Sequence, residues 1–131
     1  MKRDFTHVND IVAGVLRVVD SPAKSNKDWN SQIPDPASSS SPYRILNIGR
    51  GKPVRLLEFV EHIENKIGKV AEKVFMPLQD GDVEETWADI QDLTDDFHYE
   101  PSIEVEAGIA EFVDWYKSFY KVEEVQESGI S

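Results

Sequence analysis

The apolar positions of this chain fall into helical stripes separated by irregular stretches rich in proline and serine. Ile11, Val12, Val15, Leu16 and Val19 recur at the spacing that places them on one helical face. Asn9 and Asp10 are suited to cap that helix, and Asp20-Ser21-Pro22 predicts its end. Residues 3–8 before it read as a short extended segment. A second stripe, Leu56, Leu57, Val60, Ile63 and Ile67, follows Pro53, a good first helical residue, and closes at Gly68. Asp89 to Phe97 predicts a short helix. Ser102 then caps a last one, with Ile109, Val113, Tyr116 and Tyr120 on one face.

The stretches between the helices predict strands and loops. Tyr43 to Ile48 is an apolar run ending at Gly49, which reads as a buried strand. Lys73 to Pro77 predicts a second strand, followed by a turn at Gly81. Residues 22–42 carry four prolines and the run Ser38-Ser39-Ser40-Ser41, so they predict a flexible loop, with Trp29 and Ile33 as its anchors. Residues 122–131 predict a polar, frayed tail. Strands alternating with helices indicate a mixed α/β (α+β) domain.

Composition narrows the function classes. At 131 residues the chain suits one domain with a modest core. A net charge of -11 disfavours nucleic acid and anionic membranes as partners, because both need clustered Lys and Arg. The chain has no cysteine, hence no disulfide, thiolate metal site or cysteine nucleophile, which suits a reducing cytoplasm. No apolar run approaches the ~18–20 residues of a membrane span.

Several segments look like chemistry and resolve otherwise. Gly49-Arg50-Gly51-Lys52-Pro53-Val54 lies between a predicted strand and a helix, as a dinucleotide fingerprint would. The third glycine of that fingerprint is replaced by Val54, and Pro53 removes an N–H from the helix start. Turn chemistry is the reading, with a weak anion preference left at Arg50 and Lys52. No tyrosine has a lysine four residues on, so no Tyr–Lys proton-transfer pair shares a helical face. His7, His62 and His98 lack zinc spacing, and the carboxylates at 80–85 and 92–96 lack calcium-loop spacing. No metal site is expected.

Two segments carry a family signature. Arg3-Asp4-Phe5-Thr6-His7-Val8 and Gln79-Asp80-Gly81-Asp82-Val83, with Asn47-Ile48-Gly49 and Glu106-x-Gly108-Ile109 in order between and after them, resemble the carboxy-terminal part of the UDP-glucuronate 4-epimerase family. That family lies within the NAD-dependent extended short-chain dehydrogenases/reductases. The likeness covers residues 1–121, which read as a substrate-binding segment. In the family, the nicotinamide-binding glycines and the Tyr-x-x-x-Lys pair precede the first motif. The resemblance therefore implies NAD in the full-length enzyme, and neither cofactor binding nor catalysis by this segment alone.

The resemblance also assigns residues. Arg3 would contact the diphosphate of a UDP-sugar, where a planar guanidinium can bond two phosphate oxygens. Asp82 would accept hydrogen bonds from ribose hydroxyls. Gln79 stands where UDP-galactose epimerases carry arginine, and Thr86 would be a further contact. Read without the resemblance, Arg3 is a surface ion pair with Asp4 or Asp10, and Asp82 an ordinary turn residue. Three function classes stay open: a UDP-glucuronate/UDP-galacturonate epimerase segment, another sugar-nucleotide dehydratase, decarboxylase or reductase, and a free-standing binding domain. The implied partners are a UDP-sugar and the nucleotide-binding part of the enzyme. Apolar faces left without that part predict marginal stability or a homo-oligomer.

Overall fold

The structure, a computed structural model, describes residues 1–122, so the tail expected at 122–131 lies almost wholly outside the described residues. Four helices surround a very small sheet. In chain order the elements are β1 (Lys2–Arg3), α1 (Val8–Val19), β2 (Val54–Arg55), α2 (Leu56–Ile67), β3 (Glu85–Thr86), α3 (Gln91–Phe97) and α4 (Val105–Tyr120). β1 lies in the middle, antiparallel to β2 and parallel to β3. Its register pairs Lys2 with Arg55 and Glu85, and Arg3 with Val54 and Thr86.

The helices follow the apolar stripes, but their ends differ from those the sequence predicts. The cap of α1 is His7, whose Nδ1 accepts from the N–H of Asn9 at 3.3 Å. Asn9 and Asp10 lie inside the helix instead. Pro53 does not open α2, because Val54 and Arg55 are drawn into the sheet first. Gly68 ends α2 with φ 79°, a left-handed conformation that glycine adopts at little cost. Glu104, not Ser102, precedes α4.

Neither long predicted strand forms. Residues 43–48 contribute one isolated bridge, Arg44 to Ser38, and Tyr43 and Ile45 are exposed. Residues 73–77 form neither strand nor bridge, and Val74, Phe75 and Met76 are exposed. A strand needs a neighbouring backbone to receive its N–H and C=O groups, and residues 43–48 meet only the short stretch at Ala37 and Ser38, where Ile45 N donates to Ala37 O at 2.9 Å. The 22–42 stretch has no helix or strand. Asn26 donates from Nδ2 to Ser38 Oγ at 2.9 Å, and Trp29 donates from Nε1 to Asp35 O at 3.2 Å. Trp29 is thus an anchor, whereas Ile33 is 82% exposed and is not.

The core is small. Leu93, Tyr99, Ile109 and Val113 are its buried apolar side chains among the described residues. α2 packs on α4 and α1 on α3. Phe5, on the path from β1 to α1, stacks on Phe59 of α2 with ring centroids 4.0 Å apart. Much apolar surface stays open: Val8, Val12, Val15, Leu16 and Val19 on α1, and the aromatic run Phe112, Trp115, Tyr116, Phe119 and Tyr120 on α4.

Candidate functional site

β1 and the chain on either side of it hold the candidate residues. Asp4 fixes this region, a role that no sequence signal announces. Its Oδ1 accepts from the N–H of Arg50 at 3.1 Å, while Oδ2 accepts from Gly51 at 2.9 Å and Ala88 at 3.1 Å. One carboxylate therefore ties the strand that carries Arg3 to the turn before β2 and to the chain just after β3. Hydrogen bonds to an ionised acceptor are among the stronger kinds a protein makes.

This arrangement decides the Gly49–Gly51 turn. Its amides at Arg50 and Gly51 face an internal carboxylate, so a phosphate has no donors to take there. The side chain of Arg50 is also committed, since it is buried and pairs with Glu104. The weak anion preference expected at Arg50 is thereby used up within the fold. These residues do not fit a nicotinamide dinucleotide.

Arg3 lies half-buried at the middle of the sheet, donating from a terminal guanidinium nitrogen to Lys2 O at 2.8 Å. It makes no ion pair with Asp4, whose oxygens face backbone amides, or with Asp10, which is bonded to Ser102 and Ile103. Its register partner is Thr86, which is exposed. Gln79 and Asp82 close the predicted turn, with Asp82 N donating to Gln79 O at 3.1 Å and Gly81 at φ 92°. Both line an open groove of about 720 Å³, together with Lys2, Arg55, Leu57 and Met76.

The four residues thus form two pairs. Successive side chains on a strand leave opposite faces of the sheet, and register partners share a face. Arg3 and Thr86 fall on one face, and Lys2, Arg55 and Glu85 on the other, where Lys2 Nζ meets Glu85 Oε1 at 3.0 Å. The groove with Gln79 and Asp82 belongs to the Lys2 side. Its cations, Lys2 and Arg55, were missed from the sequence. One signal could have found Arg55: a cation at a helix start opposes the helix dipole. No group of three or more metal-ligating side chains occurs among the described residues, and no described helix is long and apolar enough to cross a membrane.

Known proteins resemble this chain in sequence and in fold. No family model matches the chain. Protein CapI of Staphylococcus aureus is 52% identical over 121 residues, covering 92% of this chain and 36% of its own length. UDP-glucuronate 4-epimerase 1 of Arabidopsis thaliana is 35% identical over 121 residues, covering 92% of this chain and 27% of its own length. The chain therefore spans roughly a third of the relatives it matches. Among solved structures, a mutant UDP-glucuronic acid 4-epimerase from Bacillus cereus, in complex with UDP-4-deoxy-4-fluoro-glucuronic acid and NAD, superposes with a TM-score of 0.66. That match has 24% identity and covers 89% of this chain and 32% of the other, which shows a shared fold. In sequence and fold, the chain is similar to the carboxy-terminal part of UDP-glucuronate 4-epimerases.

Proposed function

We propose that this chain is the UDP-sugar-binding portion of an NAD-dependent nucleotide-sugar epimerase of the UDP-glucuronate/UDP-galacturonate type. The observation that carries the reading is the 35% identity to UDP-glucuronate 4-epimerase 1 of Arabidopsis thaliana over 121 residues, with the Arg3 and Asp82 motifs in family order. The groove that gathers Gln79 and Asp82 beside apolar Leu57 and Met76 supports it. Such a groove offers an apolar wall to a base and polar groups to ribose hydroxyls. Arg3 and Thr86 stand on the same three-stranded sheet.

Hydride transfer belongs, on this reading, to the part of the enzyme that carries nicotinamide and a Tyr–Lys pair. The exposed apolar faces of α1 and α4 are where that part would pack. By itself the chain neither retains NAD nor interconverts UDP-glucuronate and UDP-galacturonate. Turnover that tracks the protein through purification would overturn this. Titration with UDP, followed by NMR, tests the binding role. Amides of residues 3–8 and 79–87 are expected to move, with a dissociation constant of about 1 mM, or ~4 kcal/mol, from one or two retained contacts. Absence of saturable shifts in both segments would remove the nucleotide assignment.

A further inference from the structure

We infer that Asp4 is a positioning residue of the nucleotide site. Its carboxylate couples β1, which carries Arg3, to the segment 79–88, which carries Asp82, so that the two bind UDP as one unit. The inference rests on the nucleotide reading above and deepens it, by naming what holds the two binding segments in a fixed arrangement.

The sheet alone is a weak link between them. β1 meets β3 over the pairs Lys2–Glu85 and Arg3–Thr86, and both residues of β3 are exposed. So short a ladder is marginal in water. Asp4 lengthens it with a side chain, because Oδ2 accepts from Ala88 N at 3.1 Å, beyond Thr86. The same carboxylate accepts from Arg50 N at 3.1 Å and Gly51 N at 2.9 Å. Gly51 stands at φ 71°, the left-handed conformation by which a turn aims consecutive amides at one anion. The turn is fixed in its own right, since the buried Tyr99 donates its hydroxyl to Gly49 O at 2.9 Å. A chain of contacts thus runs from the core through the turn to Asp4, and from Asp4 to Ala88.

Gly49 belongs to the same device. A Cβ there would lie 2.7 Å from Asp4 Oδ2 and 2.7 Å from Ala88 Cβ, so a side chain would force the carboxylate and Ala88 apart. The chemistry also calls for an aspartate. Three N–H donors on two oxygens suit an ionised carboxylate, which only accepts, whereas the amide of asparagine would turn a donor toward one of them. Arg3 is bonded directly to Asp4 in the chain, and Asp82 lies just before β3. Their separation is therefore set where the carboxylate meets its donors. A site whose parts are held before the ligand arrives binds without the cost of ordering them.

UDP titrated into the isotope-labelled full chain is the test. In the unaltered chain the amides of residues 3–8 and 79–87 should saturate together, and UDP should slow hydrogen exchange at Arg50, Gly51 and Ala88 alike. Asp4→Asn should weaken UDP about tenfold, with the two segments now saturating at different concentrations. Gly49→Ala should have the same effect from the other side of the contact. Asp10→Asn is the control for a role in folding alone, because Asp10 also accepts from three groups and lies on α1, outside both segments. It should lower the urea midpoint yet leave the UDP constant within about twofold. The inference is overturned if Asp4→Asn leaves UDP affinity unchanged, or if Asp10→Asn weakens UDP as much. Should the Asp4 and Gly49 variants fail to fold, exchange in the unaltered chain still decides, and slowing by UDP at Ala88 without Arg50 and Gly51 overturns it. The two readings fail separately. UDP binding that survives Asp4→Asn at full strength keeps the nucleotide and removes the positioning role. No UDP shift in the unaltered chain removes the nucleotide, and faster Ala88 exchange in Asp4→Asn then makes Asp4 a contact of the fold alone.

Discussion

The carboxylate of Asp10, in the first turn of α1, accepts from the backbone N–H of Ser102 at 3.0 Å and from its hydroxyl at 3.3 Å, across 92 positions of sequence. Its other oxygen accepts from Ile103 N at 3.1 Å, and the residue is only 4% exposed. Ser102 is thus held by α1 rather than capping α4, and the approach to α4 is fixed by a helix nearly a hundred residues earlier. Asp10→Ala leaves two amides of that approach without acceptors, each costing about 1–3 kcal/mol when buried. Urea unfolding should show a loss of at least about 2 kcal/mol. A loss below about 0.5 kcal/mol would mean that water replaces the carboxylate without penalty.

Gly14→Ala should destabilise the chain even though alanine favours a helix. A Cβ at Gly14 would lie 2.5 Å from Ile48 Cδ1 and 3.0 Å from Tyr99 Cε2, and Tyr99 is anchored by its hydroxyl donating to Gly49 O at 2.9 Å. Overpacking of this kind costs about 1–3 kcal/mol, against a helix gain near 1 kcal/mol. Pairing it with Ile48→Val removes the Cδ1 atom and should recover part of the loss. A double-mutant cycle in thermal or urea unfolding checks the coupling.

The segment after α2 should loosen in acid. Glu64 has its pKa held below the ordinary 4.5, first by the hydrogen bond from Lys73 and then by the N–H of Ala71. A carboxylate with a lowered folded pKa contributes stability that is present above its unfolded value and lost as pH falls through the folded one. The Ala71 amide should therefore lose its protection against exchange only below pH 4.5, the ordinary value of the carboxyl. Glu64→Gln should show the faster exchange already at pH 7, and an unchanged rate in that variant would detach the loop from this contact.

Stability should depend on protein concentration. Val12, Val15, Leu16 and Val19 on α1 are exposed, and so are Trp115 and Phe119 on α4. Burying one such side chain contributes roughly 1.5–3 kcal/mol, so several left open are comparable to the ~5–15 kcal/mol net stability of a domain. Sedimentation and melting at several concentrations should reveal self-association or a broad, low transition. A sharp, concentration-independent melt from a strict monomer would contradict this and favour a free-standing domain.

Much of the fold was legible because a helix is a local object. Each helical N–H bonds a carbonyl four residues back, so the stripes at Ile11–Val19, at Leu56–Ile67 and around Ile109 and Val113 sufficed to place α1, α2 and α4. Turn chemistry is equally local, which is why Gly68 and Gly81 stand where glycine was expected to turn the chain. The strands were not legible. Tyr43–Ile48 and Lys73–Pro77 have strand composition, yet pairing depends on a neighbour that sequence spacing does not specify. The sheet formed instead from two-residue pieces at Lys2, Val54 and Glu85, none of which carries a periodic signal.

The candidate site divides in the same way. The motifs around Arg3 and Asp82 named the family from the sequence alone, because order and residue identity survive without coordinates. Which faces those residues occupy was decided by the register of β1, which sets Arg3 beside Thr86 and turns Lys2 and Arg55 toward Gln79 and Asp82. In the sequence Asp4 reads as part of a motif and Asp10 as a helix cap, and only the tertiary fold made them internal acceptors. Helical periodicity is written within a few residues. Hydrogen bonds spanning 84 and 92 positions exist only once distant segments have been brought together.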